Sequence, residues 1–160
     1  MINVKSSAQL SPCGAYRYAL WRSWDESQPH VLFVCLNPSR ADETHDDPTL
    51  LRCVDFAKNW GFGGMCMANL FAFRATQPNA LMNAPNPVGD DNDDWLKRLS
   101  KDAGAVIVAW GNHGVFLNRS ADVLSKLPEV YCLKINKSRQ PSHPLYLKKG
   151  LDPIPFPKEK

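Results

Sequence analysis

Apolar and polar positions alternate weakly along Tyr16-Arg17-Tyr18-Ala19-Leu20-Trp21, a pattern that predicts an edge strand. Asp25-Glu26-Ser27-Gln28-Pro29 then reads as a turn. Val31 to Leu36 (VLFVCL) is an unbroken apolar run, as expected of a strand buried on both faces. Met65 to Leu70, Ala105 to Trp110 and Val130 to Ile135 repeat that pattern. Between these runs the period changes to that of helices. Asp47-Pro48-Thr49 supplies an N-cap and a proline at the first helical position, and Leu50, Leu51, Val54 and Ala57 follow on one face. Asp93 to Lys101 carries Trp95, Leu96 and Leu99, and a helix opening at Asn112 or Gly114 runs through Leu127. Thr76 to Asp91 reads as a long surface loop, and the tail after Gly150, with Pro153, Pro155 and Pro157, as irregular.

Strands that alternate with helices imply crossover connections and a parallel sheet covered on both faces. The expected architecture is a three-layer α/β/α sandwich around a central, mostly parallel sheet of about four strands. The 160 residues fit a single domain, with a core over about 16–147 and a Pro-rich tail over 150–160. Ligands of such sheets bind beyond the carboxyl ends of the strands. That rule nominates Asn37 to Arg40, Asn69 to Arg74, Gly111 to His113, and Asn136 to His143.

Composition narrows the function classes. Apolar residues at 44% and charged residues at 22% are globular values, which argues against a disordered chain. No run of 18 apolar residues occurs, so no membrane span is expected, and no apolar stretch follows the N-terminus as a secretory signal requires. Five scattered cysteines without a CxxC pair offer no zinc knuckle and suit a reducing cytoplasm. A net charge of +3 is too small for tight electrostatic binding of nucleic acid, though it leaves room for a local basic patch.

Several segments carry candidate chemistry, each with a plainer alternative. Asn37 ends the first buried strand, where it can hold a water or merely cap an Asx-Pro turn. Asn69 lies in an apolar run, and a buried amide must find a partner, either a ligand edge or a loop carbonyl. Trp110-Gly111-Asn112-His113-Gly114 can receive an anion at a helix start, or be an ordinary strand-to-helix turn. In Pro141-Ser142-His143-Pro144 the prolines fix a histidine able to donate to a leaving group, or simply stiffen a surface loop. Lys137, Arg139, Lys148 and Lys149 surround that loop and suit either phosphates or solvent. Asp42-Glu43-Thr44-His45-Asp46-Asp47 has donors for Mg²⁺ or Mn²⁺ but no metal-specific spacing. No metal site is assigned to it.

From Tyr16 to Leu147 the chain resembles bacterial domain-of-unknown-function family 1643. The resemblance rests on Leu36-Asn37-Pro38-Ser39 with Ala41-Asp42, Asp47-Pro48-Thr49, Asn69-Leu70-Phe71-Ala72-Phe73-Arg74, Ala109-Trp110-Gly111, and His143-Pro144-Leu145-Tyr146-Leu147. More distantly, the order of VLFVCLNPS, Asn69, Ala109-Trp110-Gly111-Asn112-His113 and His143-Pro144 is similar to that of the uracil-DNA glycosylase superfamily. This chain departs from that pattern at Leu145-Tyr146, where Ser-Pro is usual, and at Cys35-Leu36, where a Gly precedes the Asn.

The distant resemblance implies that fold and a hydrolytic excision of a damaged or modified base without metal or organic cofactor. Asn37 would hold the attacking water and His143 would support the departing base. Asn69 would read its edge, with Phe71 or Trp60 stacking on it. Arg40, Arg74, Asn112, His113, Lys148 and Lys149 would meet the nucleic-acid backbone. The alternatives are a nucleobase- or nucleotide-binding protein without turnover, a metal-dependent hydrolase built on Asp42 to Asp47, and a structural or partner-binding domain.

Overall fold

A computed structural model describes residues 4–158. The apolar runs form strands β3 (His30–Cys35), β4 (Gly64–Asn69) and β5 (Ala105–Val108), and the last run contributes the short β6 (Tyr131–Cys132). β3 pairs in parallel with both β4 and β5, and β5 pairs in parallel with β6. Helix α1 (Pro48–Asn59) connects β3 to β4, and α2 (Pro78–Met82) and α3 (Asn92–Asp102) lie between β4 and β5. Helix α4 (Arg119–Leu124) precedes β6.

Among the described residues the sheet has seven strands rather than the expected four, in the order β1-β2-β4-β3-β5-β6-β7. The additions are β1 (Lys5–Leu10), β2 (Arg17–Ser23) and β7 (Ile154–Pro155), all antiparallel to their neighbours. Thus β2 is no edge strand: it lies between β1 and β4. The proline-rich tail is not wholly irregular, because Ile154 and Pro155 pair with β6 and Phe156 closes over the core.

Alternation along the strands sorts the core onto two faces. Val31, Phe33, Met65, Met67 and Ile107 meet Leu50, Cys53, Phe56 and Ala57 of α1. Leu32, Val34, Cys66, Ala68, Val106 and Val108 meet Leu96 and Leu99 of α3 and Val123 of α4. Helices therefore cover both faces of the sheet, which explains why the central strands read as continuous apolar runs. Four of the five free cysteines, Cys35, Cys53, Cys66 and Cys132, are small core residues. Among the described residues no helix is long and apolar enough to cross a membrane.

Local chemistry sets the helix boundaries. The Asp47 carboxylate accepts from the Leu50 N–H at 2.8 Å with Pro48 at the first helical position, as the Asp-Pro-Thr pattern predicts. The helix expected from Asn112 through Leu127 is broken instead. A 3-10 segment over Asn112–Asn118 precedes α4, with Leu117 (φ 53°) and Asn118 (φ 57°) left-handed. Phe116 leaves the helical path and places its ring 5.5 Å from that of Phe71. The end of β4 is tied to this layer by two buried side chains. Arg119 donates to the Leu70 carbonyl and pairs with Asp93 and Asp122, and Asn92 donates to the carbonyls of Asn69 and Leu70.

Candidate functional site

Loops leaving the carboxyl ends of the parallel strands enclose a cavity of about 450 Å³. Leu36 and Asn37 come from the end of β3, Thr76 to Pro78 from beyond β4, Trp110 to His113 from β5, and Asn136, Ser142 and His143 from beyond β6. A second cavity, of about 270 Å³, adjoins it, and Asn37, Thr76 and His143 line both. Larger hollows of about 550 and 670 Å³ lie against α4 and the tail and beside the amino-terminal end of β5. The first takes in Ser138 to Gln140 of the loop beyond β6, but neither holds a side chain expected to act on the bond, read the base or meet the backbone, so chemistry rather than volume selects the site.

Asn37 spends its amide group on the protein: Nδ2 donates to the Ala75 carbonyl at 2.8 Å and to that of Pro38 at 3.1 Å. The Ala75 N–H returns a bond to Pro38 O at 2.9 Å, joining the loops after β3 and β4. This fixes the amide so that Oδ1, an acceptor, is the polar atom left for the cavity. The Asx-Pro reading is therefore partly true, and it is what orients the group.

His143 has the opposite polarity. Its Nδ1 accepts the Leu145 N–H at 3.2 Å, capping the 3-10 turn Pro144–Tyr146. A backbone N–H can only donate, so in the neutral ring the proton resides on Nε2. Burial lowers the pKa of the ring below its ordinary value, and the Asp47 charge opposes this in part. A neutral Nε2–H donor at pH 7 follows.

The backbone around His143 is held on several sides. The Gly111 N–H donates to Pro141 O at 2.8 Å, and Arg52 of α1 reaches Leu147 O at 2.6 Å. Gly111 has φ 77°, and a Cβ there would stand 3.6 Å from that of His143. A side chain would fit the space, but the backbone conformation favours glycine. Gly114 is demanded by contact instead, since a Cβ would come within 2.1 Å of the Trp110 ring. The Trp110 indole donates to Gln140 at 2.8 Å, Asn136 donates to Asn112 Oδ1 at 2.9 Å, and Ser138 donates to the same oxygen. Ser142 donates in turn to Asn136. The loops beyond β5 and β6 thus form one hydrogen-bonded wall.

Of the nominated residues, the structure brings Asn37, Asn112, His113 and His143 together around the larger cavity. Asn69 is not among its lining. Its side chain is buried at the end of β4, and neither amide atom has a partner among the described residues. Phe71 and Trp60, expected to stack on the base, do not line this cavity either. Phe71 is wholly buried in the core. Trp60 stacks on Phe33 and Phe56, and its indole donates to Leu151 O at 2.9 Å. Arg74 reaches Ser39 O and Gly14 O, bracing the loops from outside the cavity. Arg40, Lys148 and Lys149 are exposed and line neither cavity.

Ser39, within the nominated Asn37 to Arg40, lines the smaller cavity, but sequence reasoning missed Arg17, Thr49 and Thr76 there and Tyr146 at the rim of the larger one. Arg17 is only 1% exposed. Nη1 donates to Ala41 O at 2.7 Å, Nη2 approaches Met67 Sδ at 3.4 Å, and Nε has no partner among the described residues. Burial lowers its pKa to about 10, with the Asp47 charge working against that, so it stays cationic at pH 7. Its signal is a charged residue directly before the apolar stretch Tyr18 to Trp21 of β2. Tyr146 is 84% exposed, with its ring 5.7 Å from that of His143.

The acidic loop is arranged differently. The Asp42 carboxylate accepts from the N–H groups of Thr44 and His45 and from the Thr44 hydroxyl, with His45 Nδ1 at 3.0 Å. The Thr44 N–H comes first among the causes that hold its pKa well below the carboxylate range. Buried Arg22 donates to Asp42 O at 2.6 Å and pairs with Asp46 at 2.8 Å. Among the described residues, no three His, Cys, Asp or Glu side chains gather as metal ligands.

No curated protein and no solved structure matches the chain. A family model matches residues 17–145, which include Arg17, Asn37, the wall beyond β5 and His143. The chain therefore belongs to the family described as protein of unknown function, DUF1643.

Proposed function

We propose that the paired cavities bind a nucleobase with its sugar, and that Asn37 and His143 carry hydrolysis of the N-glycosidic bond. The observation that carries this reading is their opposed polarity: a fixed Oδ1 acceptor and a neutral Nε2–H donor, on two residues that line the same two cavities. An acceptor suits a water aimed at C1′. A neutral donor suits negative charge developing on the departing base. The water oxygen bonds to C1′ as the C1′–N bond breaks. The base leaves with the electron pair, and the proton shed by the water neutralises it. Asn112 and His113, in the wall of the larger cavity, take over the recognition that the motif resemblance assigns to Asn69. Tyr146 offers an aromatic face at the rim. A uracil-DNA-glycosylase-like fold belongs to the same proposal, supported by the motif order and by helices on both faces of the sheet.

A base-release assay tests it. Purified protein with EDTA is incubated with single-stranded and duplex DNA carrying uracil, hypoxanthine or xanthine, and with free nucleosides and nucleotides. Release of a base that is lost in Asn37→Ala supports hydrolysis. Release that persists in both Asn37→Ala and His143→Ala overturns the assigned roles.

One observation favours a second reading, binding without turnover. Among the described residues Asp47 is the one carboxylate lining either cavity, and it is engaged in capping α1. Affinity for bases or nucleotides with no product from any substrate would select that reading. The metal-dependent alternative loses its support, because the acidic loop uses its side chains to hold itself.

A further inference from the structure

We infer that the smaller cavity is a receptor for a phosphate group carried by the ligand, with the Arg17 guanidinium at its base. The inference rests on the proposed function for what fills the larger cavity, but not for the anion itself. Arg17 is buried and, among the described residues, has no carboxylate within ion-pair distance, although a buried charge is costly unless it is paired. Its neighbours in the protein are one carbonyl and one thioether, and Nε has no partner among the described residues.

The rest of the lining is rich in unspent donors. The hydroxyls of Ser39, Thr49 and Thr76 line the cavity and make no hydrogen bond to another described residue. Pro48 and Thr49 place the amino-terminal turn of the 12-residue α1 on the same cavity, which adds its positive end. His143 contributes to the shared wall. Asp47 is the acidic group here. It acts on Arg17 from beyond ion-pair distance and is opposed by the second guanidinium, Arg74, in electrostatic range. A guanidinium with three hydroxyls matches the several oxygens of a phosphate better than a single acceptor. Because Asn37, Thr76 and His143 line both cavities, phosphate and base meet at the same three residues. The ligand class is then a nucleotide, with a free 5′-phosphate or a strand phosphate as the two possible sources.

The test uses the full chain and NMR titration. The probes are inorganic phosphate, uridine and inosine, their 5′-monophosphates, and a short oligonucleotide of each base. Expected are a shift of the Arg17 Nε–H resonance with phosphate and monophosphates about tenfold tighter than nucleosides. That preference should be lost in Thr49→Val and Arg17→Gln. If Arg17→Gln does not fold, the Nε–H resonance of the native chain decides. Tighter binding of the mononucleotide assigns a terminal phosphate, and tighter binding of the oligonucleotide assigns a strand phosphate; both support the inference. Phosphate binding without any nucleoside or nucleotide binding keeps the anion receptor and removes the proposed function. Equal affinity for nucleoside and nucleotide with no phosphate response overturns the receptor and leaves the proposed function standing. Silence toward every probe overturns both.

Discussion

Two polar segments lie near the carboxyl end of β3, and they use their side chains in opposite ways. In Asp42 to Asp47 nearly every strong polar group is committed inward. Asp42 gathers its own loop, Arg22 clamps two of its carbonyls and Asp46, and Asp47 caps α1. In the walls formed by Asn37 and by Ser142 to Tyr146, internal bonds fix each group while leaving one functional atom over. Asn37 keeps Oδ1 and His143 keeps Nε2–H. A dense run of charge is thus the weaker sign of a site, and a sparse set of half-satisfied groups the stronger.

The sharpest way to break that contrast is to exchange the consequences of mutation. Asn37→Ala and His143→Ala should each lower base release by about 100-fold or more, since each removes a group acting on developing charge or on the nucleophile. Thermal melts should move little, because both residues are only partly buried. Comparable loss from Asp42→Ala would put chemistry in the acidic loop after all, and base-release rates measured side by side would reveal it.

Arg22→Met should show the reverse behaviour. It leaves three carbonyl contacts and the Asp46 charge without their donor and should cost about 2–3 kcal/mol, read as a lower urea midpoint. Ligand binding below the transition should be unchanged. A stable variant with impaired binding would mean that the loop reaches the ligand.

These contrasts also explain what could be read from the chain. The central strands and α1 were legible because burial on both faces leaves a continuous apolar run, and Asp47-Pro48 is a local start signal. β1 (KSSAQL) was not, since four of its six residues are exposed and nothing in its pattern demands a sheet. β7 has two residues and exists only through its pairing with β6. Of the residues lining the cavities, Asn37, Asn112 and His113 follow from their places just after strands, and His143 from the loop beyond β6. Arg17 is hidden because the sequence does not show what covers its face of β2: the loop carbonyl of Ala41 and the Met67 thioether bury its guanidinium. Phe71 and Trp60 line neither cavity, because adjacency to a motif does not reveal which way a ring points.

Gly114→Ala probes the scaffold between the two regimes. Its Cβ would meet Trp110 Cδ1 at 2.1 Å, and Trp110 is held by Gln140. Displacing the indole should cost about 1–3 kcal/mol and weaken binding in the larger cavity, while phosphate binding in the smaller one persists. A chemical-denaturation curve and a phosphate titration of the same variant separate the effects. Loss of both would mean that the two cavities form a single cooperative unit.

The smallest expected effect is a pH dependence that only the site wall should carry to the ligand. Burial first of all holds the pKa of His143 below 6.5, and His30, at the start of β3, is lowered for the same reason. Above pH 6.5 both rings are neutral in folded and unfolded chains, and their contribution to stability is fully present. As pH falls below 6.5 the unfolded chain takes up protons that the folded chain resists, so stability falls until the depressed folded values are passed. Urea midpoints between pH 8 and pH 5 should therefore decline on the acid side, with a shallower decline in His143→Gln. His30→Gln should flatten the stability profile in the same way but leave the acid limb of base release unchanged, since His30 lines neither cavity. An acid limb that is identical with and without the His143 imidazole would show that its protonation has no bearing on the reaction, and the donor role would pass to another group in the wall.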